Sequence, residues 1–108
     1  MDHSAYDEDN QALSGEAIRE LMEEVPGWKL VRDEDAAKLR RTFKFKNFAQ
    51  ALDFTTQVGE LAEEEHHHPT ITLTWGRSTV TWYTHDVNGL HRKDFTMAAR
   101  TDELYTAA

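Results

Sequence analysis

Apolar residues recur at the spacing of an α-helix in three segments of the chain. The first segment follows Ser14, a residue type that commonly caps helix starts, and it ends before Pro26 and Gly27. Its apolar face consists of Ile18, Leu21, Met22 and Val25. The pattern therefore predicts a first helix between Ser14 and Val25.

A second, longer helix is predicted to begin after Asn47, another residue type that caps helices. Its predicted buried stripe is Phe48, Ala51, Leu52, Thr55, Val58, Gly59 and Ala62. Because a proline disfavours helical geometry in the residue before it, Pro69 places the predicted helix end near His67. A third helix is predicted from about His91, and its buried side is predicted to be Phe95, Ala98 and Ala99.

Between the helices, apolar and polar residues alternate with the period of two that is typical of strands. The alternating segments are 28–31, 39–46, 70–75 and 79–84, with turns at 32–35 and 76–78. One antiparallel sheet of four strands, with three helices on one face, is the simplest way to bury these apolar stripes. The sequence thus predicts a single α+β domain of order α-β-β-α-β-β-α, residues 13–108, preceded by a flexible acidic arm, residues 1–12.

The composition removes several classes of function. The 108 residues include no cysteine, which excludes disulfides, thiolate catalysis and sulfur-ligated metal centres. A formal net charge of −8 disfavours binding to nucleic acid, and the basic stretch 39–46 is interpreted as a solvated strand edge. Because no apolar run reaches membrane-spanning length and the acidic N-terminus does not resemble a signal peptide, we expect a cytoplasmic protein without membrane contact.

The chemistry of the chain is concentrated in the stretch EEEHHHPTITLTW, residues 63–75. A zinc site on a helix usually has two histidines four residues apart, whereas adjacent histidines fan out around a helix end, so no metal is expected here. The histidines could instead decorate the helix C-terminus, where exposed carbonyls favour an imidazolium. The stretch alone leaves this interpretation open beside acid/base catalysis.

Three further residues favour acid/base catalysis. Glu63 precedes His67 by one helical turn and could orient its imidazole. His85 ends the strand predicted to pair with the one leaving Pro69, and Asp94 lies in the first turn of the next helix. A cluster of histidines can both donate and accept protons near neutral pH, which reversible loss of water requires. Packing is the interpretation for four aromatic residues, Trp28, Trp75, Trp82 and Tyr83.

The spacing of these residues resembles the signature of the pterin-4a-carbinolamine dehydratases. The shared array is Glu63, His67, His68, Pro69, Trp75, His85 and Asp94. The resemblance extends from about Leu13 to Leu104. It departs from the usual pattern at His91, where serine or threonine commonly begins the third helix, and at Trp75, where tyrosine is frequent.

The resemblance implies an enzyme that removes water from a 4a-hydroxytetrahydropterin and gives the quinonoid dihydropterin, in the recycling of the cofactor of an aromatic amino acid hydroxylase. It implies no cofactor, and a homo-oligomer, either a dimer or a tetramer. The implied catalytic histidines are His67, His68 and His85, supported by Glu63 and Asp94. The implied pterin contacts are His67, His68, Pro69, Thr84, His85, Asp86 and Val87.

Two other functions are compatible with the same sequence. Relatives of the implied fold include a dimerisation cofactor of a transcription factor, so a non-enzymatic assembly or transcriptional role is the first alternative. A metal-dependent hydrolase is the second. The presence of all three histidines and the aspartate favours the dehydratase.

Overall fold

Three helices and four strands alternate along residues 11–107, the part of the chain that the computed structural model describes. In chain order they are α1 Gly15–Met22, β1 Lys29–Asp33, β2 Ala36–Lys44, α2 Phe48–Glu65, β3 Thr70–Thr74, β4 Arg77–Trp82 and α3 Arg92–Ala107, with a short 3-10 turn at His85–Val87 before α3. The predicted order α-β-β-α-β-β-α is confirmed. The predicted arm, residues 1–12, lies almost entirely outside the described residues.

The four strands form one antiparallel sheet in the order β1-β2-β4-β3. The two hairpins predicted from the alternation therefore lie side by side, joined where β2 pairs with β4. The register places Leu39 opposite Trp82 and Thr70 opposite Thr81. Successive side chains of a strand point to opposite faces, so this register fixes which residues meet the helices.

The helices cover the face of the sheet that carries Leu39, Phe43, Val80 and Trp82, all of which are fully buried. On the helix side the largest contribution is Phe54 of α2, which contacts Phe43 at a ring-centroid distance of 4.7 Å. Arg40, Thr42 and Thr79 alternate with these residues and lie on the opposite face. Within the described residues, no helix is long and apolar enough to cross a membrane.

Several predicted boundaries are wrong by two or three residues. The strand β2 begins at Ala36 instead of residue 39, because Glu34 and Asp35 both adopt positive φ angles, 53° and 64°, and form a tight two-residue turn. The turn between β3 and β4 is equally short, so β4 spans Arg77–Trp82 instead of 79–84. Helix α1 ends at Met22, and helix α2 ends at Glu65.

Part of the predicted core is exposed. Phe48 and Leu52 of α2 are 44% and 46% exposed, whereas Phe54 and Leu61, which the prediction omitted, are buried. Both sets have helical spacing, so periodicity did not distinguish the stripe that faces the sheet from its neighbour. Trp75 is 70% exposed because it lies in the β3–β4 turn. The predicted core residue Ala99 of α3 is also exposed.

Candidate active site

The predicted site residues lie at one end of the sheet, where the chain enters β3 and leaves β4. Because Thr70 pairs with Thr81, the segment before β3, residues 66–69, lies beside the segment after β4, residues 83–85. The start of α3 reaches the same end through Asp94. One antiparallel pair and one helix start thus bring together residues that are far apart in the sequence.

His66 forms the turn that directs the chain from α2 into β3. Its backbone adopts the left-handed conformation, with φ 52° and ψ 40°. The backbone N–H of His67 donates to the carbonyl of Ala62 at 3.1 Å, which closes the helix C-terminus. Pro69 then prevents a return to helical geometry. The first histidine of the triplet therefore ends the helix, and the next two follow that end.

Replacing His66 by glycine is expected to raise the melting temperature and to leave any site activity unchanged. A residue with a Cβ pays about 1 kcal/mol or more in the left-handed region, and glycine does not. For a domain of this size, about 1 kcal/mol corresponds to roughly 4 to 8 °C. Thermal unfolding followed by circular dichroism measures the shift, and His66→Ala, which keeps the strain, is the control. A lower melting temperature for His66→Gly would contradict the capping role.

Asp94 is the centre of the hydrogen-bond network at this end of the sheet. Its side chain is fully buried. Its Oδ1 lies 2.6 Å from Nε2 of His67, and its Oδ2 accepts from the hydroxyl of Thr84 at 2.7 Å and from the backbone N–H of His91 at 2.9 Å. A single carboxylate thus joins the entry to β3, the exit from β4 and the start of α3.

The bond from His91 to Asp94 also caps α3. The backbone N–H of Lys93 donates to Nδ1 of His91 at 3.2 Å, so His91 caps the helix in place of the usual serine or threonine. Asp94 returns a bond to the backbone of His91, which makes the pair reciprocal. The Asp94 carboxylate therefore caps α3 and contacts His67 at the same time.

His67 is held from two sides. Its ring is stacked on Trp82, with centroids 5.6 Å apart and an interplanar angle of 9°. Trp82 is fixed in turn, because its indole N–H donates to Thr101 of α3 at 3.1 Å. With Nε2 engaged by Asp94, Nδ1 is the nitrogen through which His67 can meet a ligand.

The other two histidines of the array are exposed and have separate partners. Nε2 of His68 lies 2.5 Å from Oε2 of Glu63, and the two side chains are 61% and 77% exposed. Nδ1 of His85 lies 2.8 Å from the hydroxyl of Tyr83. The sequence interpretation paired Glu63 with His67, and the family resemblance placed Asp94 near His85. The structure instead pairs Glu63 with His68 and Asp94 with His67.

Two basic residues of α3 fix the end of α2 that precedes the histidines. The ammonium of Lys93 donates to the carbonyl of Glu65 at 2.7 Å, and the guanidinium of Arg100 donates to the Glu65 carboxylate at 2.8 Å. The hydrogen bond from Arg100 lowers the pKa of Glu65, so its carboxylate stays charged at a lower pH than a free glutamate would. These two contacts, between residues distant in sequence, were not predicted.

The remaining predicted contacts lie next to this network. Pro69 follows the two site histidines, and Asp86 and Val87 continue from His85 in the 3-10 turn. An isolated bridge between Thr84 and Gly89 closes that turn. Among residues 11–107, no group of three or more histidine, aspartate or glutamate side chains is arranged to hold a metal ion.

Comparison with known proteins identifies a family that matches most of the chain. The sequence profile of the family described as pterin 4 alpha carbinolamine dehydratase matches residues 11–104. A protein of Marinobacter nauticus, provisionally named as such a dehydratase, is 50% identical over 94% of this chain and 92% of its own length. A protein of Chlorobium limicola with the same provisional name is 54% identical over 86% of this chain and 82% of its own.

Two solved structures share the fold. A transcriptional coactivator/pterin dehydratase from Brucella melitensis superimposes with a TM-score of 0.79 at 29% identity, over 88% of this chain and 99% of that protein. A pterin dehydratase-like protein identified as a RuBisCO assembly factor in the alpha-carboxysome superimposes with a TM-score of 0.62 at 24% identity, over 73% of this chain and 89% of that protein. The second likeness concerns the fold alone.

Proposed function

The chain belongs to the pterin 4 alpha carbinolamine dehydratase family, and we propose that it catalyses the dehydration of a 4a-hydroxytetrahydropterin. The observation that carries the proposal is that His67, His68 and His85 each have their own hydrogen-bond partner at one end of the sheet. A partner on one ring nitrogen orients an imidazole and leaves the other nitrogen to exchange a proton with a substrate. The site therefore offers several oriented proton carriers.

The reaction needs one proton delivered and one removed. In a carbinolamine the hydroxyl and the amine nitrogen share a carbon, here C4a of the pterin. Protonation of the hydroxyl lets the C4a–O bond break, and loss of the proton on the neighbouring nitrogen forms the C=N bond. The products are water and the quinonoid dihydropterin, with no net change in protons or electrons. General acid and general base catalysis suffices for these steps.

The exposed histidines are the proposed proton carriers. His68 and His85 can reach a bound pterin, whereas His67 is largely enclosed, with a side chain 12% exposed. We assign His67, held by Asp94 and Trp82, to orient the pterin through Nδ1. The proposed walls of the pterin site are Pro69, Thr84, Asp86 and Val87.

The purified protein is expected to accelerate the dehydration of a 4a-hydroxytetrahydropterin above the spontaneous rate. The measurement generates the carbinolamine in situ and follows the appearance of the quinonoid product by absorbance. The rate should be unchanged after dialysis against a chelator, because proton transfer by imidazole needs no Lewis acid. A folded protein that gives only the spontaneous rate would refute the proposal, and activity lost to the chelator and restored by zinc would favour the hydrolase.

The wider role follows from the same proposal. We assign the chain to the cytoplasm, to the recycling of a pterin cofactor used by an aromatic amino acid hydroxylase, and to a homo-oligomer. The exposed pair Phe48 and Leu52, one helical turn apart on α2, supports self-association. The coactivator name of the Brucella melitensis structure makes a second, non-catalytic role in transcription or assembly the alternative function. That alternative predicts binding to a protein partner that survives loss of His85.

A further inference from the structure

We propose that Tyr83 is a positioning residue for His85, which fixes the imidazole ring and keeps the proton of its neutral form on Nε2. The inference rests on the proposed function for its catalytic consequence. The hydroxyl of Tyr83 lies 2.8 Å from Nδ1 of His85. The two rings are in contact, with centroids 4.2 Å apart and an interplanar angle of 51°. Tyr83 follows the last residue of β4 and His85 begins the 3-10 turn, so the two residues are close in the chain as well as in space.

Lys38 determines the direction of this hydrogen bond. Its ammonium lies 4.1 Å from the centroid of the Tyr83 ring, within the range of a cation–π contact. A cation on the face of the ring withdraws electron density from the phenol, which makes the hydroxyl a better donor and a poorer acceptor. The hydroxyl therefore donates to Nδ1. Because neutral imidazole has one donor and one acceptor nitrogen, the proton of His85 then lies on Nε2.

Lys38 is itself held in place, which distinguishes this contact from a chance approach of a surface lysine. The residue is 6% exposed. Its ammonium lies 3.6 Å from the Asp33 carboxylate and 3.9 Å from that of Glu34, both in the tight β1–β2 hairpin. Since Leu39 pairs with Trp82 at the end of β4, the preceding Lys38 lies beside Tyr83, the residue that follows that strand. The register of β2 and β4 thus places the Lys38 ammonium against the Tyr83 ring.

This arrangement gives His85 the acid role in the dehydration. With Nδ1 accepting from Tyr83, the Nε2–H group is the one that can be presented to the departing hydroxyl of the pterin. As Nε2 delivers its proton, the Tyr83 hydroxyl proton passes to Nδ1, so the imidazole stays neutral and the phenolate forms beside the Lys38 ammonium. The proton removed from the pterin nitrogen balances the one delivered, and the phenolate is reprotonated before the next turnover. His68, whose Nε2 is engaged by the carboxylate of Glu63, is left with the role of base. The hydroxyl of Tyr83 acts through His85 and needs no contact with the substrate.

The test uses Tyr83→Phe, which removes the hydroxyl and keeps the ring and its contact with Lys38. Nitrogen NMR of histidine-labelled protein above neutral pH reports the tautomer of His85. The wild type should show the proton on Nε2, and Tyr83→Phe should show a mixture of tautomers. We expect kcat to fall about five- to twentyfold, with KM changed less than about twofold, because one hydrogen bond that orients the acid is lost.

Tyr105→Phe is the matched control, since it removes a hydroxyl whose bond goes to the carbonyl of Lys44. Tyr105 lies eleven positions after Asp94 on α3, roughly 16 Å along the helix axis. Its substitution should leave both the His85 tautomer and kcat unchanged. Lys38→Met should shift the His85 tautomer in the same direction as Tyr83→Phe. In the Tyr83→Phe background, Lys38→Met should change neither the tautomer nor kcat any further.

Two results would overturn the inference. One is an unchanged His85 tautomer in folded Tyr83→Phe, and the other is a wild-type imidazole with its proton on Nδ1. If the wild type shows no dehydratase activity, the proposed function fails, but the tautomer measurements still decide whether Tyr83 sets the state of His85. If the wild type is active and Tyr83→Phe equals it in tautomer and kcat, the function stands and this inference falls.

Discussion

Replacing His85 by alanine is expected to lower kcat for pterin dehydration by a factor of about 10² to 10⁴, the range for loss of a positioned general acid or base. The residue is exposed and lies in the short 3-10 turn after β4, so its truncation removes no core packing. The folding free energy should therefore change little. Steady-state kinetics and thermal unfolding of the same preparation separate the two effects. His68→Ala should behave in the same way.

His66→Ala provides the control for these substitutions. It removes an imidazole from the same triplet, but His66 serves as the left-handed end of α2. Its kcat should stay within about twofold of wild type. If all three alanine variants lose activity equally, the division of the histidines between site and helix end is wrong. If His85→Ala retains full activity, the proposed acid is elsewhere.

Periodicity was sufficient to predict the order of elements but not which helical stripe is buried. Alternation with a period of two identified both hairpins, and the burial of β3 shows it directly, since exposed and partly buried residues alternate along that strand. In α2, Phe48 and Leu52 lie in an apolar stripe that is partly exposed, beside the stripe of Phe54 and Leu61 that is buried. A single chain cannot show which of two adjacent stripes has a partner.

The site was predictable as a set of residues but not as a set of pairs. The spacing argument for Glu63 and His67 assumed a continuous helix, and the left-handed turn at His66 rotates the next residues, which leaves His68 beside Glu63. The partner of Asp94 depends on where α3 begins relative to the two hairpin strands. That relation is tertiary, so sequence spacing does not contain it.

The contact between Tyr83 and His85 had a local signal, because the predicted strand 79–84 placed residues two apart on one face. In the structure Tyr83 follows β4 and His85 begins the 3-10 turn, and the two side chains still meet. The contact of Lys38 with Tyr83 had no signal in the sequence. Its position depends on the pairing of β2 with β4, between residues more than forty positions apart, and on the tight turn that places Asp33 and Glu34 beside it. Such contacts between strands that are not consecutive in the sequence can be predicted only when the register of the two strands is known.

Asp94→Asn is expected to lower kcat at least about tenfold, equivalent to roughly 1.4 kcal/mol of barrier. The substitution keeps the size of the side chain. An amide oxygen facing Thr84 and the backbone of His91 can retain both of those bonds, which leaves the amide nitrogen opposite Nε2 of His67. That nitrogen donates only, so His67 must accept at Nε2 and carry its proton on Nδ1. The nitrogen that meets the pterin is thereby reversed from acceptor to donor.

The same substitution should cost stability, since hydrogen bonds to a charged group contribute about 1.5 to 3 kcal/mol and a carboxylate at a helix start adds about 0.3 to 1 kcal/mol. A melting temperature lower by at least about 4 °C follows. His91→Ala is the matched variant, because it removes the other cap of α3 and leaves the Asp94 carboxylate against His67. It should unfold at a lower temperature with near-normal kcat when assayed well below that temperature. Equal kcat values for folded Asp94→Asn and folded His91→Ala would reduce Asp94 to a helix cap, and the assignments of His68 and His85 would stand without it.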